Sequence, residues 1–225
     1  MSWSREVRAE DLMEVLFTEQ PRPAPIQLPG FQNSPHTWNR RRLGLDCDEV
    51  YPDIFIGDAS TVRDKQYLKE IRVTHVLNCA EGRRAGHLNV NSWYFQDADI
   101  KYMGLPLEDI PSANIEDYFQ CAAHFIDCAL YNGGRVFVNC MMGVSRSATI
   151  VMAFLMLRRG MGAVEAVRAV RRRRDVWPNA GFLHKLAALH NRLRLQRLQH
   201  QRCTRGSHFY LPLPYASIGA PMAQP

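Results

Sequence analysis

The stretch RVFVNCMMGVSRSATIVMAFLMLRR, residues 135–159, constrains the fold more than any other part of the chain. It holds the longest apolar run, ATIVMAFLML at 148–157, which is ten residues long. A helix that crosses a bilayer needs about 20 apolar residues, so this run has to find its cover inside a protein core. Ahead of it RVFVN is apolar through its middle, as suits a central strand covered on both faces. Between the two lies a short turn running from Cys140 to Arg146. In sheets built from such strand–helix units, ligands sit at the carboxyl ends of the strands, where strand gives way to helix. Cys140 stands at that place.

The rest of the chain reads as further units of the same kind. IFIG at 54–57 and VTHVLNC at 73–79 predict strands, KQYLKEI between them a short helix, and WYF with IKYMGLP a further strand region. From Ile115 the apolar positions Ile115, Phe119, Ala122, Ile126 and Ala129 recur at helical spacing, and Gly133-Gly134 ends that helix. The apolar helix runs from about Ser147 to Arg159, followed by helices over about 163–174 and 180–198. The expected fold is α/β: one domain with a mostly parallel central sheet flanked by helices, spanning 46–198. Residues 1–45 read as a largely flexible extension, with a short helix in AEDLMEVLF followed by the proline-rich PRPAPIQLPG. Residues 199–225 read as a disordered tail.

Composition narrows the class. With 46% hydrophobic and 22% charged residues in a chain of 225, a soluble globular domain with its own core is expected. The start, MSWSREVRAEDL, offers neither a signal-like apolar segment nor the second-position glycine of myristoylation. The six cysteines show no CxxC spacing, so neither a disulfide framework nor a zinc site is indicated. Reduced thiols and a cytoplasmic or nuclear setting are the expectation. Cys47, Cys79, Cys121 and Cys128 are expected to pack as small hydrophobes. The charge of +6 is unevenly spread: twelve Arg and one Lys against Glu165 and Asp175 leave +11 over 158–205 and −5 elsewhere. Such a segment suits a phosphorylated protein, anionic lipid or nucleic acid, or is simply a solvated helix face. No aromatic residues interleave with RRRR at 171–174, as a base-stacking platform would need, so nucleic acid is not the expected partner.

The turn itself carries the chemistry. In Cys140-Met141-Met142-Gly143-Val144-Ser145-Arg146, successive backbone N–H groups can point inward as a nest for an anion, with the positive end of the following helix behind them. Gly143 keeps a side chain out of the cradle, and Arg146 offers a planar fork to two phosphate oxygens. The same positive surroundings lower a thiol pKa and make Cys140 a thiolate nucleophile. The turn therefore looks built to bind a phosphate and displace its ester oxygen. An acid is then needed on a loop above the site, and Asp109 in LEDIP, with Glu108 as its competitor, sits in a polar loop after a strand.

CMMGVSRSAT resembles the signature loop of the dual-specificity protein phosphatases, within the cysteine-based tyrosine-phosphatase superfamily. THVLNCAEGRR, HLNVNSWYF, AAHFIDCAL, AFLML and PNAGFLHKL echo the small atypical, VHR-like members, so the likeness runs from about Val50 to Leu193. The resemblance implies hydrolysis of phosphotyrosine and phosphoserine or phosphothreonine without metal or cofactor. It implies phosphorylated proteins as partners, with MAP kinases among the candidates. It makes Cys140 the nucleophile, Arg146 the phosphate clamp, Asp109 the general acid and Ser147 the hydroxyl that steadies the departing thiolate. Arg174 would face a second phosphate of the substrate, Asn179 would cap the turn into the last helix, and Glu81 to Arg84 would shape the pocket rim.

One position departs from the family. Where its members carry His before the nucleophile, this chain has Asn139, which cannot carry positive charge. The expectation is an active enzyme with a less acidic cysteine and lower turnover at mildly acid pH. The alternative is a weakly active or inactive pseudophosphatase that binds phosphoproteins through an intact cradle. Related loops also serve RNA 5′-phosphatases and phosphoinositide phosphatases; protein phosphate monoesters are the better reading.

Overall fold

The computed structural model describes residues 3–22 and 46–206. Among them the sheet has five strands: β1 (Cys47–Tyr51), β2 (Ile54–Gly57), β3 (His75–Asn78), β4 (Lys101–Gly104) and β5 (Val136–Asn139). Their spatial order is β1-β2-β5-β3-β4, with only β1–β2 antiparallel. The α-helices are α1 (Ala9–Thr18), α2 (Lys65–Glu70), α3 (Phe119–Tyr131), α4 (Arg146–Arg158), α5 (Ala163–Arg173) and α6 (Ala180–Gly206). This is the single α/β domain the sequence predicts, with β5 at its centre.

Both faces of the sheet are covered, because alternate residues of a strand point to opposite sides. Ile54, Ile56, Leu77, Val136 and Val138 join the large core beneath α1 and α3 to α6. Phe55, Val76 and Phe137 join the smaller core formed with Tyr67, Leu68 and Ile71 around α2 and with Phe95. Helix α4 is buried from Arg146 to Met156, which is why its sequence shows no wet face.

Three expectations need correction. WYF lies in a 3-10 helix, Ser92–Ala98, where Phe95 is needed as a core plug rather than as a strand residue. Helix α6 continues to Gly206, past the predicted end at 198; the remainder of the expected tail, 207–225, lies outside the described residues. Finally, the folded body does not begin near residue 46. Helix α1 buries Leu12 and Leu16 completely and packs on α5 and α6. The Asn191 side chain brackets the Val7 backbone, accepting from its N–H at 3.0 Å and donating to its carbonyl at 2.9 Å. Trp3 stacks on His190 and donates to the Gly160 carbonyl at 2.8 Å. The proline-rich stretch and NRRR fall in 23–45, outside the described residues. Leu16→Ala is expected to cost about 2–5 kcal/mol of unfolding free energy, as for other large-to-small core changes. A denaturant titration with an unchanged midpoint would return α1 to the status of an appendage.

Among the described residues, most of the C-terminal positive charge is already paired. Arg168 and Arg172 reach Glu19 of the segment after α1, Arg159 reaches Asp127, and Arg194 reaches Glu6. Arg171 and Arg174 are buried rather than solvated. Of the cysteines expected to pack inside, Cys47 and Cys79 do so, while Cys121 and Cys128 are exposed on α3, because the buried stripe of that helix falls on Ala122, Ile126 and Ala129. Among the described residues, no helix is long and apolar enough to cross a membrane.

Candidate active site

The loop between β5 and α4 has its carbonyls turned outward. Met141 O accepts from Ala59 N–H at 3.0 Å and Val144 O from Trp177 N–H at 3.0 Å. Met142 O and Gly143 O accept from the Arg174 guanidinium at 3.2 and 2.8 Å. Ser145 O accepts from the Thr149 N–H and hydroxyl at 2.9 and 2.8 Å. Among the described residues, the N–H groups of Met141 to Ser145 donate to no backbone carbonyl. Turned inward at the start of α4, they form a nest of positive partial charge. Gly143 makes the turn at φ +64°, and a Cβ there would sit 2.6 Å from Gly57 O. Only glycine fits.

Cys140 lies at the floor of this nest, 1% exposed, its Sγ 3.3 Å from the Ser147 hydroxyl. Burial pushes the thiol pKa up, but hydrogen bonds from the Ser147 hydroxyl and N–H, the Arg146 charge and the Val144 N–H more than offset it. The thiol is therefore held below its ordinary value and is predisposed to be a thiolate.

Arg146 is buried and anchored by one edge: its Nη1 donates to Gly86 O and Leu107 O, both at 2.9 Å. Its Nε has no hydrogen-bond partner although it is buried. A desolvated guanidinium with an open donor is costly unless an anion completes it. Asp109 stands across from it, with Oδ2 3.6 Å from that Nε. Its Oδ1 accepts from the Ser145 hydroxyl at 2.7 Å and from Asn179 Nδ2 at 2.9 Å. Both bonds go to Oδ1, which leaves Oδ2 as the oxygen facing Arg146. Glu108 makes none of these contacts among the described residues.

Two residues have roles that spacing in the chain did not reveal. Asn179 does cap α6, its Oδ1 accepting from Phe182 N–H at 3.0 Å, but the same amide also holds the Asp109 carboxylate. Ser145, expected only as part of the cradle, is the second donor to that carboxylate. Asn before Ala-Gly-Phe at a helix start was the available signal; the pairing with Asp109, seventy residues away, is purely tertiary.

Arg174 needs the opposite revision. It is 3% exposed, and its guanidinium bonds Asp46 and Asp48 as well as the Met142 and Gly143 carbonyls. It is a strut that turns the loop carbonyls outward, not an open cation facing a second phosphate. Of the expected rim, Glu81 turns inward and accepts from the Tyr102 hydroxyl at 3.2 Å, while Arg83 and Arg84 are exposed. The loop borders the site through Gly86 O on Arg146.

Asn139 is fully buried. Its Nδ2 donates to Asn78 Oδ1 at 3.1 Å, and Asn78 in turn bonds the Tyr102 hydroxyl at 3.1 Å. Its Oδ1 has no partner, an unfilled acceptor on the residue next to Cys140. An imidazole here replaces that acceptor and can add positive charge near the thiol, favouring the thiolate. Asn139→His is expected to move the acid limb of the pH–rate profile down by about one unit, while overpacking the site at a cost of about 1–3 kcal/mol in stability. An acid limb that stays where it was would show that Asn139 costs the cysteine nothing.

The fold and this loop define a protein phosphatase. The chain belongs to the dual specificity phosphatase catalytic-domain family, whose pattern matches residues 54–192. It is 41% identical over 158 residues to dual specificity protein phosphatase 13B of Homo sapiens, covering 69% of this chain and 79% of that one. The mouse protein of the same name is 41% identical over 159 residues. Among solved structures, human tyrosine phosphatase-like serine/threonine/tyrosine-interacting protein is 33% identical, with a TM-score of 0.57 over 63% of this chain and 93% of that one. A mouse putative dual specificity phosphatase, solved with zinc tungstate, is 25% identical with a TM-score of 0.58 over 67% and 90%.

Proposed function

We propose that this phosphatase hydrolyses phosphotyrosine and phosphoserine or phosphothreonine in proteins through a cysteinyl-phosphate, with MAP kinases among the candidate substrates. One observation carries the reading: the Cys140 thiol lies beneath inward N–H groups, while Arg146 Nε, which makes no hydrogen bond, and Asp109 Oδ2 face each other 3.6 Å apart. A phosphate seated in the nest completes the guanidinium fork. The Cys140 thiolate attacks phosphorus, the P–O ester bond breaks, and the leaving oxygen takes the proton of Asp109 Oδ2. Asp109, now a carboxylate, removes a proton from water, which attacks phosphorus and expels the thiolate. Inorganic phosphate leaves, and the Ser147 hydroxyl at 3.3 Å steadies the returning thiolate. That a similar mouse protein was solved with tungstate, a tetrahedral oxyanion, fits a cradle of this kind. The chemistry needs a reduced thiol, which suits a cytoplasmic or nuclear setting.

Asp109→Asn tests the assignment on p-nitrophenyl phosphate and on phosphotyrosyl and phosphothreonyl peptides. Expected is a loss of about 10²-fold in kcat, with disappearance of the alkaline decline in the pH profile, because that decline reports deprotonation of the acid. A variant as fast as the parent moves the role away from Asp109. A parent protein that binds the phosphopeptides but hydrolyses none of them establishes the phosphoprotein-binding alternative instead.

A further inference from the structure

Helix α1 lacks a basic residue in its last turn, although a positive group there would complement the unpaired carbonyls at its end. Arg171 of α5 supplies one. Its Nε donates to Leu16 O at 3.1 Å and to Glu19 O at 3.2 Å, and the side chain is buried. The other edge of the same guanidinium bonds the Asp175 carboxylate and Val176 O. Its face lies over the Trp177 indole, 4.4 Å from the ring centroid, as a cation–π pair does. The indole N–H returns to Asp175 Oδ1 at 2.8 Å, and Phe17 of α1 meets the same ring edge-on at 5.2 Å.

The short segment held in this way touches both halves of the active site. Trp177 N–H donates to Val144 O, and two residues on, Asn179 binds the Ser145 hydroxyl through its N–H and Asp109 through its side chain. Val144 is gripped by Trp177 through its carbonyl and turns its N–H, one peptide unit back, toward the Cys140 sulfur. A shift of residues 175–179 would move a donor to the nucleophile and a holder of the acid together. Other groups facing the thiol are Arg146 from α4 and Cys79 just after β3, the latter with its own pKa pushed well up, first by burial.

Taking the phosphatase reading of the site as given, we propose that α1 is a positioning element for the active site, acting through Arg171 and residues 175–179 on Val144 and Asp109. Arg171 touches neither substrate nor thiol, and its contribution is geometric. Detachment of α1 would strand the buried guanidinium without the carbonyls of Leu16 in α1 and Glu19 just after it, so the helix and the segment are expected to loosen together.

The test uses the full chain with Arg171→Met, which keeps the bulk and removes the fork, and Asp175→Asn at an exposed carboxylate, where folding is not at stake. The rate of Cys140 alkylation by iodoacetamide is followed against pH by peptide mass spectrometry, a readout of the thiolate that needs no turnover. Hydrolysis of p-nitrophenyl phosphate against pH and the melting temperature are measured alongside. Arg171→Met is expected to raise the alkylation midpoint by about one pH unit. It should also lower kcat about tenfold at a temperature where the variant is fully folded. Asp175→Asn is expected to move both in the same direction by less. Melting temperatures that fall while midpoints and kcat stay at the parent values would overturn the proposal and leave Arg171 as a structural residue only. Should Arg171→Met fail to fold, the Asp175→Asn midpoint decides: a shift supports the coupling, and none sinks it. Midpoints shifted in the variants, beside a parent protein that hydrolyses nothing, keep the positioning role and refute the phosphatase chemistry.

Discussion

Cys140→Ser is expected to reduce hydrolysis by at least about 10⁴-fold, to the rate without enzyme, because serine at this position has no base to ionise it. The cradle of N–H groups and the Arg146 fork survive the exchange of one atom. The variant should therefore still bind phosphopeptides, and a phosphoprotein substrate should remain attached to it long enough to isolate. Loss of turnover with retained binding identifies the thiolate as the nucleophile. Turnover that persists in the variant places the chemistry elsewhere in the molecule. Equal rates in parent and variant, both at background, would mean that this cradle only binds.

Arg146→Lys is the second large effect, about 10³-fold or more in kcat/KM, although the charge is kept. Lysine is a single ammonium on a flexible stem and does not present two parallel donors to a phosphoryl group, in which charge develops over several oxygens during transfer. It also gives up the Nη1 bonds to Gly86 O and Leu107 O. Leu107 leads into the segment that carries Asp109, so the acid loses a tether in the same substitution. The structure thus predicts damage to both kcat and KM. An effect on KM alone would mean that the fork binds ground state and transition state equally.

How far the sequence reaches into this site depends on chain distance. Cys140 to Ser147 could be read as one unit, because a strand, a nest and a helix start are local structures and their residues are contiguous. Asp109 was reachable as a candidate because the proposed reaction calls for an acid on a loop above the site. Arg174 was misread for a physical reason: a fourth arginine in RRRR carries no mark of burial, and only the fold brings Asp46 and Asp48 to it across more than a hundred residues. Asn179 and Ser145 looked like a helix cap and a loop residue, and each has a second bond to Asp109 that no spacing rule contains.

By itself the sequence determined the α/β architecture, the place of the anion cradle at the end of the central strand, and the residue types that can perform phosphoryl transfer. It did so because hydrophobic periodicity and turn chemistry are local, and because the ten-residue apolar run had no cover but a protein core. Tertiary structure alone decided what holds the cradle in shape. It turned the loop carbonyls onto Arg174 and Trp177, left Asn139 with an unfilled acceptor, and drew α1 from the supposed extension into the core. The loop carbonyls and α1 each found a partner distant in the chain. Such partners are selected by the cost of leaving the group unsatisfied, a cost that exists only once the chain has folded around it.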